Sequence, residues 1–266
     1  MPSQPHPLAS THLPEFTQGV ALVAGGSGGL GAGICRSLAQ AGSHVALSYR
    51  SRRSAADQVA DSVRAQGRDA TVQALDLEDA QATRAWVDEQ VRHFGRIHSV
   101  VYAAGPPLAF GTIHDMDPKE WARVLACDVN GCFNLVSAVL PHLRAQGGGS
   151  LVAVITCALF HPPPRDVLSA APKAAIEALM RCLAVEEGQH GIRANCAGPG
   201  LMEAGLGLTT INPSTQAYVD KMTRAIPLQR RGQPEDLGDV VCFLLSDKAR
   251  YVTGAHIPVS GGLQLL

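Results

Sequence analysis

The run VALVAGGSGGLGAGI, residues 20–34, decides how this chain folds. Val20 to Ala24 are apolar and read as a short buried strand, which the following glycines interrupt. Gly25, Gly29 and Gly31 then open a segment with helical spacing as far as Ala41. A strand that turns through glycines into a helix leaves that helix's first amides without partners, and the absent side chains let a ligand phosphate approach backbone. At the start of a strand–helix–strand unit this is a dinucleotide cradle rather than a flexible surface turn, with Ser27, Gly28 and Leu30 in the same turn.

The same rhythm continues outward. Apolar runs at 43–49, 70–75, 97–104 and 150–155 read as buried strands, and segments at 55–66, 80–94 and 118–144 carry helical periodicity between them. A helix over 169–188, a strand at 192–198, a helix after Pro234 and a strand at 256–260 complete the series. Alternation of this kind predicts an α/β fold, a Rossmann-type doubly wound parallel sheet of about seven strands in a single domain spanning 19–266. Residues 1–18 hold four prolines and no periodicity, and read as a flexible arm outside the fold. The irregular stretch after the 192–198 strand, 201–225, is the expected substrate lid, because loops beyond strand ends are where open α/β sheets bind ligands.

Composition agrees with a globular chain: 266 residues, 46% hydrophobic and 17% charged. Seven cysteines scattered through that length exclude a disulfide scaffold and read as reduced thiols in apolar surroundings. A net charge of −1 without long blocks of one sign provides no footprint for nucleic acid or an acidic membrane surface, so a small-molecule substrate is expected. No leader is seen at the N-terminus and no apolar stretch approaches the ~20 residues of a membrane helix, which makes the cytoplasm the expected compartment. The histidines show no metal-ligand spacing, and no metal is expected.

The end of the second strand selects the nucleotide. An NAD site would place an acid there for the ribose 2′-hydroxyl, whereas this chain offers Tyr49-Arg50-Ser51-Arg52-Arg53. Arginines in place of the acid favour the 2′-phosphate of NADP(H).

Taken together these motifs resemble the short-chain dehydrogenase/reductase family. The resemblance covers about residues 18–263 and rests on Gly25-x-x-x-Gly29-x-Gly31, Asp76-Leu77, Ala104-Gly105, Asn130 in CDVNG, Lys173 in SAAPKAAIEAL, Pro199-Gly200, and the ending PLQRRGQPEDLGDVVCFLLSDKARYVTGAHIPVSGG. It implies that Asp76 and Leu77 flank the adenine and that Ala103, Ala104, Gly105, Pro199, Gly200 and Met202 line the cofactor. Lys173 would hold the nicotinamide ribose, and the last helices and strand would build a homo-oligomer, a tetramer or a dimer.

The family's working set is Asn, Ser, Tyr and Lys, which the resemblance places at Asn130, Cys157, Ser169 and Lys173. Two of the four are replaced. Serine stands four residues before Lys173 where the tyrosine acid belongs, and Cys157 stands where serine clamps the substrate oxygen; Thr156 is the clamp if the register slips by one. An alkyl hydroxyl is far too weak an acid to replace a phenol, though Ser169 can donate a hydrogen bond to a developing oxyanion. Cys157 is a poor donor, and no base nearby in sequence marks it as a nucleophile. Ser-x-x-x-Lys also resembles the dienoyl-CoA reductase branch, but Ala158 stands where that branch carries a separate tyrosine. The Asn-Asn-Ala-Gly motif is Tyr102-Ala103-Ala104-Gly105, and Ala204 replaces a threonine near the nicotinamide. The proton donor is left among His161, Asp166, Tyr218 and water.

The expected function is an NADP(H)-dependent reductase with a non-standard site, acting on an activated carbonyl or conjugated C=C such as an acyl or enoyl thioester. Dehydration, isomerisation or cyclisation on the same scaffold, and a silent nucleotide-binding subunit, are the alternatives.

Overall fold

The computed structural model describes Phe16, residues 18–204 and residues 216–266, with backbone alone for Gln216 and Tyr218. The strands are β1 (Val20–Ala24), β2 (His44–Tyr49), β3 (Ala70–Ala74), β4 (Ile97–Tyr102), β5 (Gly149–Val154), β6 (Ile192–Pro199) and β7 (His256–Val259). They form one parallel sheet in the order β3-β2-β1-β4-β5-β6-β7. The order reverses between β1 and β4, and in such sheets the ligand crevice opens at that switch, beyond the carboxyl ends of the strands.

Helices cover both faces: α1 (Gly29–Gln40), α2 (Arg53–Arg64), α3 (Ala80–Phe94), α4 (Pro118–Leu125), α5 (Gly131–Ala145), α6 (Val167–Glu187), α7 (Gln216–Ala225) and α8 (Pro234–Leu245). Every residue of β1 is buried, as a strand covered on both faces requires. Caps set several helix starts. Asp79 accepts from the amides of Gln81 and Ala82 before α3, and Asp117 accepts from Lys119 with Pro118 at the first helical position of α4.

Three expectations need correction. The α4–α5 segment is not one regular helix, because residues Ala126–Asn130 form a wider π turn between its halves. By length and apolarity alone, the continuous stretch Pro118–Ala145 (28 residues) is able to cross a membrane, contrary to the expectation that no stretch approached that length. It packs as a layer helix instead, with Leu135, Val139 and Leu143 in the core against the sheet. Finally, the fold begins before residue 19. Phe16 is buried, stacks on His98 at 4.8 Å between ring centroids and donates its amide to Ala41 O. The rest of the 1–18 arm and the middle of the lid, 205–215, lie outside the described residues.

Candidate active site

The cradle forms where β1 ends. Gly25 holds φ at +82°, a region that favours glycine, and a Cβ there would stand 2.6 Å from Ala103 O. At Gly31 a Cβ would meet Gly25 O at 2.3 Å. Gly28 caps α1 with no side chain and no acid sits in the first turn, so the first amides of α1 face the crevice with nothing to neutralise the positive end of the helix. Ser27 is buried and Leu30 partly buried beside them. A space that side chains would fill, floored by backbone and closed by a helix N-terminus, fits a dinucleotide pyrophosphate.

The predicted residues around the adenosine end divide into occupied and unoccupied groups. Arg50 donates to Asp76 Oδ2 at 3.0 Å, to Glu78 Oε1 at 3.3 Å and to Cys127 Sγ at 3.3 Å. Arg53 is held by Asp57 in an i,i+4 pair. Arg52 has no ion pair among the described residues, and one of its guanidinium nitrogens would be 3.7 Å from a Cβ on Gly28. Tyr49 is buried beneath them and Ser51 is exposed. Leu77 is buried, and Asn134 of α5 fixes its carbonyl at 2.8 Å.

At the centre, Lys173 of α6 donates to Asp128 Oδ1 at 2.8 Å and to Ala104 O at 3.4 Å. Asp128 sits in the π turn, whose extra residue carries this side chain in towards the sheet; such turns recur at functional sites. Tyr102, the last residue of β4, directs its hydroxyl at both Asp128 O and Asp128 Oδ1, each at 2.9 Å. Its ring lies 5.3 Å from the Lys173 ammonium. Burial, reinforced by the Asp128 charge, pushes the Tyr102 phenol well above its usual range, which makes it too weak an acid to give up its proton to a substrate. A Cβ on Gly105 would lie 3.8 Å from the Lys173 ammonium, so the lysine borders the cofactor-side loop directly.

No hydrogen bond joins Asn130 to Lys173 among the described residues. Asn130 is exposed at the end of the π turn, and Asp128, two residues earlier, holds the inner position. Sequence reading missed Asp128 and the clamping role of Tyr102. A signal existed for the first, since Asp128 lies seven residues before Leu135, on the apolar face of the helix, where a carboxylate needs a partner.

On the β5 side, Cys157 is buried in the turn after the strand. Burial first, and the Asp166 carboxylate second, push its thiol up to about 11, which leaves it neither nucleophilic nor acidic. Thr156 is engaged, its hydroxyl accepting from the Ala158 amide at 3.1 Å. Ser169 is half-buried one turn before Lys173 on α6, and Asp166 precedes that helix. His161 is exposed in the connecting loop and makes no hydrogen bond or ion pair among the described residues; the Tyr218 side chain lies outside them.

The base of the lid is fixed from both ends. Met202 is buried and bridges to Gly232, and Glu203 N donates to Gly232 O at 2.7 Å. Gly200 N is held by Val259 O at 3.0 Å, which joins the Pro199-Gly200 turn to the end of β7. Glu203 also accepts from Gln233 at 2.8 Å, the residue that opens α8. That helix presses on α1: a Cβ on Gly33 would be 2.4 Å from Pro234, and Arg36 pairs with Glu235 at 2.7 Å.

This geometry has known counterparts. A family profile described as enoyl-(acyl carrier protein) reductase matches residues 24–264. Versicolorin reductase stcU of Emericella nidulans is 33% identical over 251 residues, covering 91% of this chain and 94% of that protein. The 3-oxoacyl-[acyl-carrier-protein] reductase FabG of Staphylococcus aureus is 30% identical over 249 residues, covering 92% and 98%. Among solved structures, NAD+-bound xylitol dehydrogenase superimposes with a TM-score of 0.85 at 31% identity, covering 92% of this chain and 98% of that one. The chain belongs to the short-chain dehydrogenase/reductase family, oxidoreductases that bind NAD(P)(H), act on small molecules and commonly form oligomers. Among the described residues no group of three or more His, Cys, Asp or Glu is placed to hold a metal.

Proposed function

We propose that the protein is an NADP(H)-dependent reductase of an activated carbonyl or conjugated C=C substrate, working in the cytoplasm as a homo-oligomer without the family's tyrosine. The observation that carries the choice of nucleotide is Arg52, a guanidinium beside the Gly28 cradle with no ion pair among the described residues, at a strand end that bears no acid. A 2′-phosphate would meet Arg52 with charge-assisted hydrogen bonds.

The bound nucleotide supplies hydride. The chain's own residues do the rest: Lys173, steadied by Asp128 and Ala104 O, borders the nicotinamide ribose, and the Ser169 hydroxyl donates to the substrate oxygen as charge develops on it. Apolar side chains flank the crevice. Phe110 and Phe160 are exposed on the loops after β4 and β5, and Gly111 N joins those loops by donating to Arg165 O at 3.3 Å. An acyl or enoyl thioester matches such walls.

A second reading draws on the Asp128–Lys173 pair. Its opposite charges cancel, which weakens the lysine as an electrostatic catalyst and suits a subunit that binds nucleotide without turnover.

Fluorescence titration with NADPH and NADH, followed by NADPH oxidation against matched β-ketoacyl and enoyl thioesters, tests both. Tighter NADPH binding with turnover supports the reductase. Binding without turnover on either substrate class supports the silent subunit, and equal affinity for the two nucleotides removes the role given to Arg52.

A further inference from the structure

Four groups lie at the corner where the family's acid would stand: Cys157 from the turn after β5, Asp166 at the N-cap of α6, and Ser169 and Lys173 from α6 itself. Ser169 and Lys173, four residues apart, lie on one face of α6, and Asp166 sits at the N-cap three residues before Ser169. Tyr102 and Cys157 are both driven away from acidity by burial. His161 is exposed and without a partner among the described residues.

Asp166 is different. An aspartate at the start of a helix ordinarily caps it with its carboxylate, but here φ is −108° and ψ is 18°, and the side chain makes no capping bond. The backbone carbonyl of Asp166 takes the amides of Ser169 and Ala170 instead, at 3.0 and 2.9 Å. The carboxyl is thereby left partly buried near Ser169, close enough to Cys157 for its charge to raise that thiol, and without a cation paired to it among the described residues.

We infer that Asp166 is the proton reservoir of the site, passing a proton through the Ser169 hydroxyl to the substrate oxygen and so replacing the absent tyrosine. This rests on the reductase reading given above. In carbonyl reduction the carbon accepts hydride from the reduced nicotinamide, and the C=O π electron pair moves to oxygen. That oxygen takes the Ser169 hydroxyl proton, Ser169 takes the Asp166 carboxyl proton, and the Asp166 carboxylate is reprotonated by solvent. Ser169 never has to act as a free acid, because its proton is replaced as it leaves.

The ionisation of Asp166 fits the task. Burial raises its carboxyl to about 6, with the neighbouring Ser169 hydroxyl pulling the other way. The titratable and charged groups around it are the Cys157 thiol from the β5 turn, exposed Arg165 next to it in sequence, and Lys173 along its own helix, which is already paired with Asp128. The loop after β4 that reaches this corner does so through the backbone amide of Gly111.

The test uses the full-length protein. Carboxyl 13C resonances of aspartate-labelled parent protein without nucleotide, assigned by their loss in Asp166→Asn, should show Asp166 titrating at about 6. The reduction rate should fall as pH rises through that midpoint. Asp166→Asn should lower the rate by about a hundredfold or more and abolish that pH limb, while nucleotide affinity stays within about twofold. Ser169→Ala should lose the rate while Asp166 still titrates, shifted upward by the loss of the hydroxyl. Circular dichroism shows whether each variant is folded. An Asp166 that titrates in the ordinary aspartate range, or a folded Asp166→Asn that keeps the parent's rate and pH profile, overturns the inference and leaves the reductase reading intact. A parent protein that binds nucleotide but reduces nothing overturns the reductase reading, and the inference with it.

Discussion

The Lys173 ammonium stands 2.8 Å from Asp128 Oδ1, on side chains that retain 14% and 4% of their exposure. A pair so far from water is costly to break from one side only. Asp128→Asn keeps the shape and an acceptor for Tyr102 but leaves Lys173 uncompensated, and should destabilise the fold by roughly 2–4 kcal/mol. Urea unfolding measures this; a loss under about 1 kcal/mol would mean that water screens the pair as it does at a surface.

The same pair governs what a restored phenol can do. A tyrosine at 169 needs the lysine charge to become acidic, and Asp128 cancels much of it. Ser169→Tyr alone should therefore produce little ketone reduction, and the combination with Asp128→Asn clearly more than the sum of the two. Rates of NADPH-dependent reduction across the double-mutant cycle report the coupling, and additive effects would show the two sites to be independent.

Arg52 and Arg50 should separate cleanly. Arg52→Gln is expected to weaken NADPH about 10- to 100-fold while leaving NADH unchanged, since it removes one charge-assisted contact. Arg50→Gln frees the carboxylates of Asp76 and Glu78 and should alter both nucleotides alike. Calorimetric titration of each variant decides it; a loss of NADPH preference on changing Arg50 but not Arg52 would reverse the assignment.

Acid should unfold this protein through His98. Burial, with the charge of Arg96 a lesser cause, lowers the imidazole from 6.5 to about 4. The unfolded chain therefore binds the proton more readily, and stability present above pH 6.5 is lost as pH falls towards 4. The full effect is at most about 3 kcal/mol. Phe16→Ala, which uncovers the ring, should shrink the pH dependence of the unfolding midpoint over that window; an unchanged slope would assign the acid sensitivity elsewhere.

The strand–glycine–helix cradle was legible because its information is local: Gly25 and Gly31 are dictated by a φ angle and by contacts that a side chain would violate. Helix boundaries were legible for a similar reason, caps such as Asp79 and Asp117 lying within a few residues of the amides they accept from. The centre of the site was harder to read. Whether residue 128 or 130 faces Lys173 depends on a π turn that has no composition signature, and Tyr102 and Asp128 meet across 26 positions of chain. Arg50 reads as a phosphate ligand until Asp76 and Glu78, remote in sequence, are seen to occupy it. Phe16, in a proline-rich segment, carried nothing to announce its partner His98.

The contacts from Glu203 through Gln233 and Pro234 to Gly33 join the base of the expected lid to α1, the helix that opens at the Gly28 cradle. A shift of α1 on taking up an anion there would meet Pro234 at Gly33 and reach Glu203 through the Gln233 side chain. If the nucleotide binds there, it is expected to bind before the substrate, and substrate analogues should then compete poorly with NADPH and bind well only after it.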